Sequence, residues 1–181
     1  MDLERLLQAA LPNGYLRLPA GRYRLQKPLA LYQAMTIEGA GANLTFIVSS
    51  NREFVMRMQG EGPYALSDLT LVHEGEQPSR VLWVDGSRFS LERCGFKGGC
   101  WVDDRDWGCG LHLTGAAQGR VAVCEFSEND HGIVVDGHAA PQLESNRCFE
   151  NRGNGIRYRA HGGGQASQNE CSYNAQAGIH V

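Results

Sequence analysis

The sequence predicts an all-β fold, a parallel β-helix built as a solenoid of ~22–25-residue coils. Three observations predict it. Gly132-Ile133, Gly155-Ile156 and Gly178-Ile179 recur at a spacing of 23 residues, and asparagines Asn129, Asn151 and Asn174 precede them. Apolar residues alternate inside each unit, as in Ile133 and Val135 around Val134, or Ile156 and Tyr158 around Arg157. Period two marks short strands with one face inward. Between these runs lie only Gly, Asn and Asp turns, with no segment long enough for a crossover helix.

The register extends upstream. Leu66-Ser-Asp-Leu69-Thr-Leu71, Leu91-Glu-Arg-Cys94-Gly-Phe96 and Val121-Ala-Val-Cys124-Glu-Phe126 align with Leu143-Glu-Ser-Asn146-Arg-Cys148 and Ala166-Ser-Gln-Asn169-Glu-Cys171. Stacked coils place equivalent residues ~4.8 Å apart, so columns become physical objects. One predicted inward column is Leu69, Cys94, Cys124, Asn146, Asn169; another is Leu71, Phe96, Phe126, Cys148, Cys171. The buried asparagines must hydrogen-bond along their column or to turn backbone. Outward, Glu125, Arg147 and Glu170 alternate in sign, which favours stacking. Asp85-Gly86, Thr114-Gly115 and Asp136-Gly137 close a strand with a turn that suits positive φ.

The 181 residues read as one domain, 1–181, with coils over 15–181. Residues 2–11 read as an amphipathic helix that caps the open end of the solenoid, with Leu3, Leu6, Leu7 and Ala10 on one face. The chain stops at Val181 in mid-strand without a cap. It therefore reads as a fragment, or as a chain that self-associates end to end. Net charge is −3, with no basic stripe, so nucleic acid is not an expected partner. No run approaches a membrane span and no signal peptide is visible, which makes the cytoplasm the default location.

Six cysteines are present. Cys94, Cys124, Cys148 and Cys171 fall on inward positions and read as reduced core thiols. Cys100 and Cys109 bracket the one long corner insertion, and sequence leaves open whether they form a disulfide.

These residues resemble a family. Gly14 to Leu25 and Met35 to Gly41 look like the opening of proteins in the pectate-lyase-like superfamily. Gly132 to Val181 is more specific: Ala140-Pro141, Leu143-Glu144, Asn146 and Cys148, then Gly163-Gly164, Ala166, Asn169 and Cys171, resemble the two-coil repeat of bacterial right-handed β-helix repeat proteins. The resemblance implies a right-handed helix with three sheets. Carbohydrate ligands occur in many members, and non-enzymatic scaffolds fused to other domains occur in the repeat-rich branch. Fold alone does not choose between these.

Two places could carry chemistry. In the insertion, Trp101 and Trp107 flank Asp103, Asp104 and Asp106. The carboxylates are candidate Ca²⁺ ligands, and the indoles offer flat faces to a pyranose. A solvated acidic corner is the plainer alternative. The second place is an outward column of Trp83, His112, Val134, Arg157 and His180, a mixed aromatic and basic stripe suited to an anionic sugar or an acidic peptide. Asp130-His131-Gly132 and His161-Gly162-Gly163 are fragments of the Gly-His-Gly element that polygalacturonase-like members use, and no Arg-Ile-Lys accompanies them. Scattered histidines without ligand spacing argue against zinc.

The leading functional reading is a non-catalytic binding or scaffold module of a larger bacterial protein. Carbohydrate or protein is the expected partner, and Ca²⁺ the one cofactor considered. Trp83, Trp101, Trp107, His112 and Arg157 are the candidate ligand-binding residues. The alternative is a lyase, epimerase or glycoside hydrolase acting on acidic polysaccharide, with Asp103, Asp104 and Asp106 as the working carboxylates.

Overall fold

A computed structural model describes residues 3–100 and 108–181. Its strands wind into about six turns of a parallel solenoid with three faces. Sheet I contains the first part of Leu29–Glu38, the first part of Glu53–Ser67, then Ser79–Asp85, Cys109–Thr114, His131–Val135, Ile156–Tyr158 and Ile179–His180. Sheet II contains Tyr15–Arg17, the ends of the same two long strands, then Arg88–Glu92, Gln118–Ala122, Gln142–Glu144 and Gln165–Ser167. Sheet III runs Gly21–Arg24, Thr45–Ser49, Thr70–His73, Gly95–Lys97, Glu125–Ser127, Arg147–Phe149 and Glu170–Ser172. Sheets I and II are continuous early in the chain, because Leu29–Glu38 and Glu53–Ser67 bend through the corner without a break. The three sheets that the resemblance implied are present.

The predicted columns are the observed ones. Leu71 pairs with Phe96, Phe96 with Phe126, Phe126 with Cys148, and Cys148 with Cys171. The two phenylalanine rings stack at 4.9 Å with 9° between planes. That face-on pairing follows from register: identical side chains one strand spacing apart share a rotamer. Outside, the Arg147 guanidinium donates to Glu125 at 2.8 Å and lies 3.7 Å from Glu170.

Two asparagine ladders hold the corners. Between sheets II and III, Asn146 Oδ1 accepts the Cys124 N–H at 3.0 Å, and its amide donates to Val121 O at 2.9 Å. Asn169 repeats this one coil on, accepting from Asn146 N and donating to Leu143 O. Between sheets III and I, Asn129, Asn151 and Asn174 do the same, donating to Phe96 O, Phe126 O and Cys148 O. A primary amide offers an acceptor and two donors, which is what a tight corner with one orphan N–H and one orphan C=O requires. Asn146 is fully buried; Asn169, on the last coil, is half-buried yet keeps its bonds.

The corner also needs one left-handed residue per turn. Arg93, Val123, Ser145 and Gln168 have φ of 50–56° immediately before Cys94, Cys124, Asn146 and Asn169. Glu128, Glu150 and Tyr173, with φ of 55–61°, hold the same place before the second ladder. Sequence reasoning assigned positive φ to the glycines that close the sheet I strands. Gly86, Gly115 and Gly137 indeed have φ of 62–67°, but elsewhere the ladder hydrogen bonds hold ordinary residues in that region.

The Gly-Ile echo has a different cause. A Cβ on Gly132 would lie 2.4 Å from the Gly155 carbonyl oxygen, and one on Gly155 would lie 2.6 Å from that of Gly178. Glycine recurs because the next coil passes too close for any side chain. At the other end, the helix Leu3–Ala10 buries Leu3, Leu7 and Ala10 in the core cluster, as a cap should.

All six cysteines are free thiols, including Cys100 and Cys109. Burial and the adjoining Cys124 push the Cys94 thiol up. The hydrogen bond with Cys171, then burial, does the same for Cys148. Those groups therefore behave as core filler.

Candidate functional site

The corner that leads into sheet I carries a polar cleft of about 330 Å³, lined by Asp130, His131, Arg152, Asn154, Arg157 and His180 among others. The ladder builds it. Each ladder asparagine is followed by a residue whose backbone joins the next coil, as Gly153 N donates to Asp130 O at 2.6 Å and Arg152 N to Asn129 O at 2.9 Å. The side chains of Asp130 and Arg152 are thereby set one strand spacing apart, and they pair at 3.2 Å. Gly153 makes room for the imidazole: a Cβ there would lie 2.5 Å from His131 Cε1 and Nδ1.

His131 has a defined tautomer. The Asn154 backbone N–H donates to its Nδ1 at 2.9 Å. A backbone amide only donates, so Nδ1 accepts and the ring proton of the neutral imidazole sits on Nε2. Arg157 Nη1 lies 3.3 Å from that Nε2. An imidazole and a guanidinium thus lie side by side at the cleft, a pairing that suits an anionic ligand. The described lining counts two guanidiniums, two imidazoles and one carboxylate, and Asp130 is already paired with Arg152. The cleft favours an anion.

A second cluster lies further up sheet I. The guanidinium carbons of Arg57 and Arg80 sit 3.7 and 4.2 Å from the Trp83 ring. Trp83 Nε1 donates to Thr114 Oγ1 at 2.8 Å, and Thr114 donates to Asp85 at 3.0 Å. Arg57 donates to the other Asp85 oxygen at 2.6 Å. His112 stacks beside the indole, with ring centres 6.4 Å apart, and its Nε2 is 3.9 Å from Asp136. Burial drops the Arg80 guanidinium to about 10. Burial, followed by the positive charge of Arg80, drops His112 to about 3, so the imidazole is neutral at pH 7.

The predicted column exists in register: Trp83 pairs with His112, His112 with Val134, Val134 with Arg157, and Arg157 with His180. The expected open stripe does not. His112 is 5% exposed and Val134 fully buried, although both point away from the core. Trp83 is half-buried, with two guanidiniums against its ring, so it is not the free platform a pyranose needs. Of the candidate binding residues, Arg157 lines the cleft. Trp101, Asp103, Asp104, Asp106 and Trp107 lie outside the described residues, and with them the proposed Ca²⁺ ligands. Among the described residues, no group of three or more His, Cys, Asp or Glu side chains is placed to hold a metal. Sequence reasoning saw Asp130-His131 only as a motif fragment and missed Arg152 and Asn154. The 23-residue offset from His131 to Asn154 was the available signal.

With the solenoid and its cleft in view, comparison with known proteins places the chain. The right-handed β-helix region family matches residues 76–181, more than half of the sequence, and the chain belongs to that family. No curated protein and no solved structure matches it significantly. Among the described residues no helix is long and apolar enough to cross a membrane.

Proposed function

We propose that this chain is a non-catalytic binding and scaffold module whose ligand is an acidic glycan, held by its carboxylate in the cleft at Arg152, Arg157 and His131. The observation that carries this reading is the gathering of two guanidiniums and two imidazoles, Arg152, Arg157, His131 and His180, around one polar cleft. The regular ladders supply the rigid frame on which such donors are pre-organised. A catalytic pair of carboxylates is the competing requirement for glycoside cleavage. The carboxylate that lines the described cleft is committed to Arg152.

Calorimetric titration with oligogalacturonate, with and without Ca²⁺, tests the reading. Binding should weaken about tenfold or more when Arg152 and Arg157 are both changed to Ala, and should fall with added salt. Absence of binding under both conditions overturns the ligand. Release of shortened or unsaturated products replaces a binding module with an enzyme.

A further inference from the structure

One column of the core carries a matched pair of sulfurs. Cys148 and Cys171 face each other in register on the parallel strands Arg147–Phe149 and Glu170–Ser172. Both hold the inward place that Phe126 holds one coil earlier. Paired strands set their Cα atoms ~4.8 Å apart, inside the window of about 4.4–6.8 Å that a disulfide spans. Both residues are free thiols, so the bond waits on a two-electron oxidation.

The two thiols are not equivalent. Of the six cysteines, Cys171 alone is half-buried, and the other five are buried. The Cys148 thiol donates its hydrogen bond to the Cys171 sulfur. That bond holds Cys171 below the ordinary thiol value, against burial and the Glu170 carboxylate, and it pushes Cys148 up. The proton is therefore kept on the buried sulfur, and the thiolate character falls on the accessible one. An accessible thiolate with a second thiol at its side is the arrangement that oxidation selects. Taken alone Cys148 is filler, and its neighbour gives it a second role. Cys94 and Cys124 supply the internal comparison. They too are core neighbours one coil apart, with the Cys94 N–H donating to the Cys124 sulfur at 3.5 Å. Both are closed off from solvent, and burial pushes the Cys94 thiol up.

We propose that Cys171 and Cys148 form a peroxide-oxidised disulfide, with Cys171 as the attacking sulfur and Cys148 as the resolving one. The Cys171 thiolate attacks one oxygen of hydrogen peroxide. An S–O bond forms as the O–O bond breaks, and the leaving oxygen takes up a proton and departs as water. Cys171 is then a sulfenic acid. The Cys148 sulfur attacks it, the S–S bond forms, the S–O bond breaks, and hydroxide leaves with the Cys148 proton as a second water. Two thiols and one peroxide thus give one disulfide and two waters; the sulfurs lose two electrons and the peroxide gains them. The product is a covalent staple between two successive coils.

The test treats the reduced 181-residue chain with a few equivalents of hydrogen peroxide, alkylates it under denaturing conditions and maps the peptides by mass spectrometry. The expected product is one peptide pair joined through Cys148 and Cys171, lighter by about 2 Da than the two reduced peptides and separated again by a reductant. Cys94, Cys100, Cys109 and Cys124 should all take the alkylating group. Cys148→Ala should leave Cys171 as a sulfenic acid that a dimedone probe captures, and Cys171→Ala should leave Cys148 reduced. Six alkylated thiols after peroxide overturn the proposal, as does a disulfide that joins any other pair. Cys171 driven to sulfinic acid in the unaltered chain, with Cys148 still reduced, overturns the resolving role. The mapping of the unaltered chain decides by itself, so the outcome does not depend on how the variants fold.

Discussion

The early coils and the coils after residue 76 build the same solenoid with different chemistry. In the early coils, two long strands bend through the corner between sheets I and II, where the later coils turn at Gly86, Gly115 and Gly137. The position later held by Asn146 and Asn169 is Leu69, fully buried. Coil-to-coil links there come from individual side chains. The Tyr64 hydroxyl donates to Leu31 O at 3.2 Å, and the His73 ring nitrogens face Asn51 O and Gly98 O at 3.1 and 3.2 Å. In the later coils the same task falls to repeated asparagines. At the corner between sheets II and III the early coils use threonines, Thr45 Oγ1 accepting from Ala40 N–H and Thr70 Oγ1 donating to Ala42 O, whereas in the later coils one asparagine amide serves both an N–H and a C=O. The family pattern matches 76–181, the part whose corners demand particular residue types.

The largest expected effect comes from breaking a ladder. Asn151→Leu leaves the Asn129 N–H and the Phe126 carbonyl without their buried partner, at a cost of about 3 kcal/mol. Urea unfolding measures it. A loss below about 1 kcal/mol would mean the late corners resemble the early ones after all.

The glycine file is next. Gly132→Ala forces a Cβ onto the Gly155 carbonyl and should cost about 1–3 kcal/mol. Gly163→Ala meets nothing within 4 Å, so its change should stay within about 0.5 kcal/mol. Equal effects at the two sites would show that the echo marks a turn preference and not close approach.

Acid sharpens the contrast through His112. Its folded value of about 3 lies below the ordinary 6.5, so the unfolded chain binds the extra proton as pH falls. Stability from this group is complete above pH 6.5 and is lost progressively between pH 6.5 and 3. His73, also lowered by burial, pulls in the same direction. Thermal midpoints recorded from pH 7 to pH 4 should fall, and His112→Gln should flatten part of that slope. An unchanged slope would assign the acid loss to other groups.

The smallest effect belongs to the surface. Arg147→Ala removes exposed pairs with Glu125 and Glu170 and should cost less than about 1 kcal/mol, with the difference vanishing at high salt.

Much of the fold was legible because a solenoid makes tertiary neighbours out of sequence repeats. Leu71, Phe96, Phe126, Cys148 and Cys171 form one column in space because they hold one place in each coil. The site was less legible. Arg157 was found because it belongs to an outward column, but Arg152 and Asp130 sit on a corner where side-chain direction depends on left-handed residues that composition does not betray. Glu150 and Glu128 carry positive φ without being glycine or asparagine, and only their place before a ladder asparagine marks them.

The sequence by itself determined the parallel solenoid, the inward and outward alternation, the asparagine column and the helical cap. Each depends on periodicity, and periodicity survives in one dimension. Only the tertiary structure decided that His112 and Val134 are buried although they face outward, that the Trp83 ring is already in contact with Arg57 and Arg80, and that His131 meets Arg157. Those outcomes depend on distances between side chains of different coils and on desolvation, and neither is encoded in the spacing of letters along the chain.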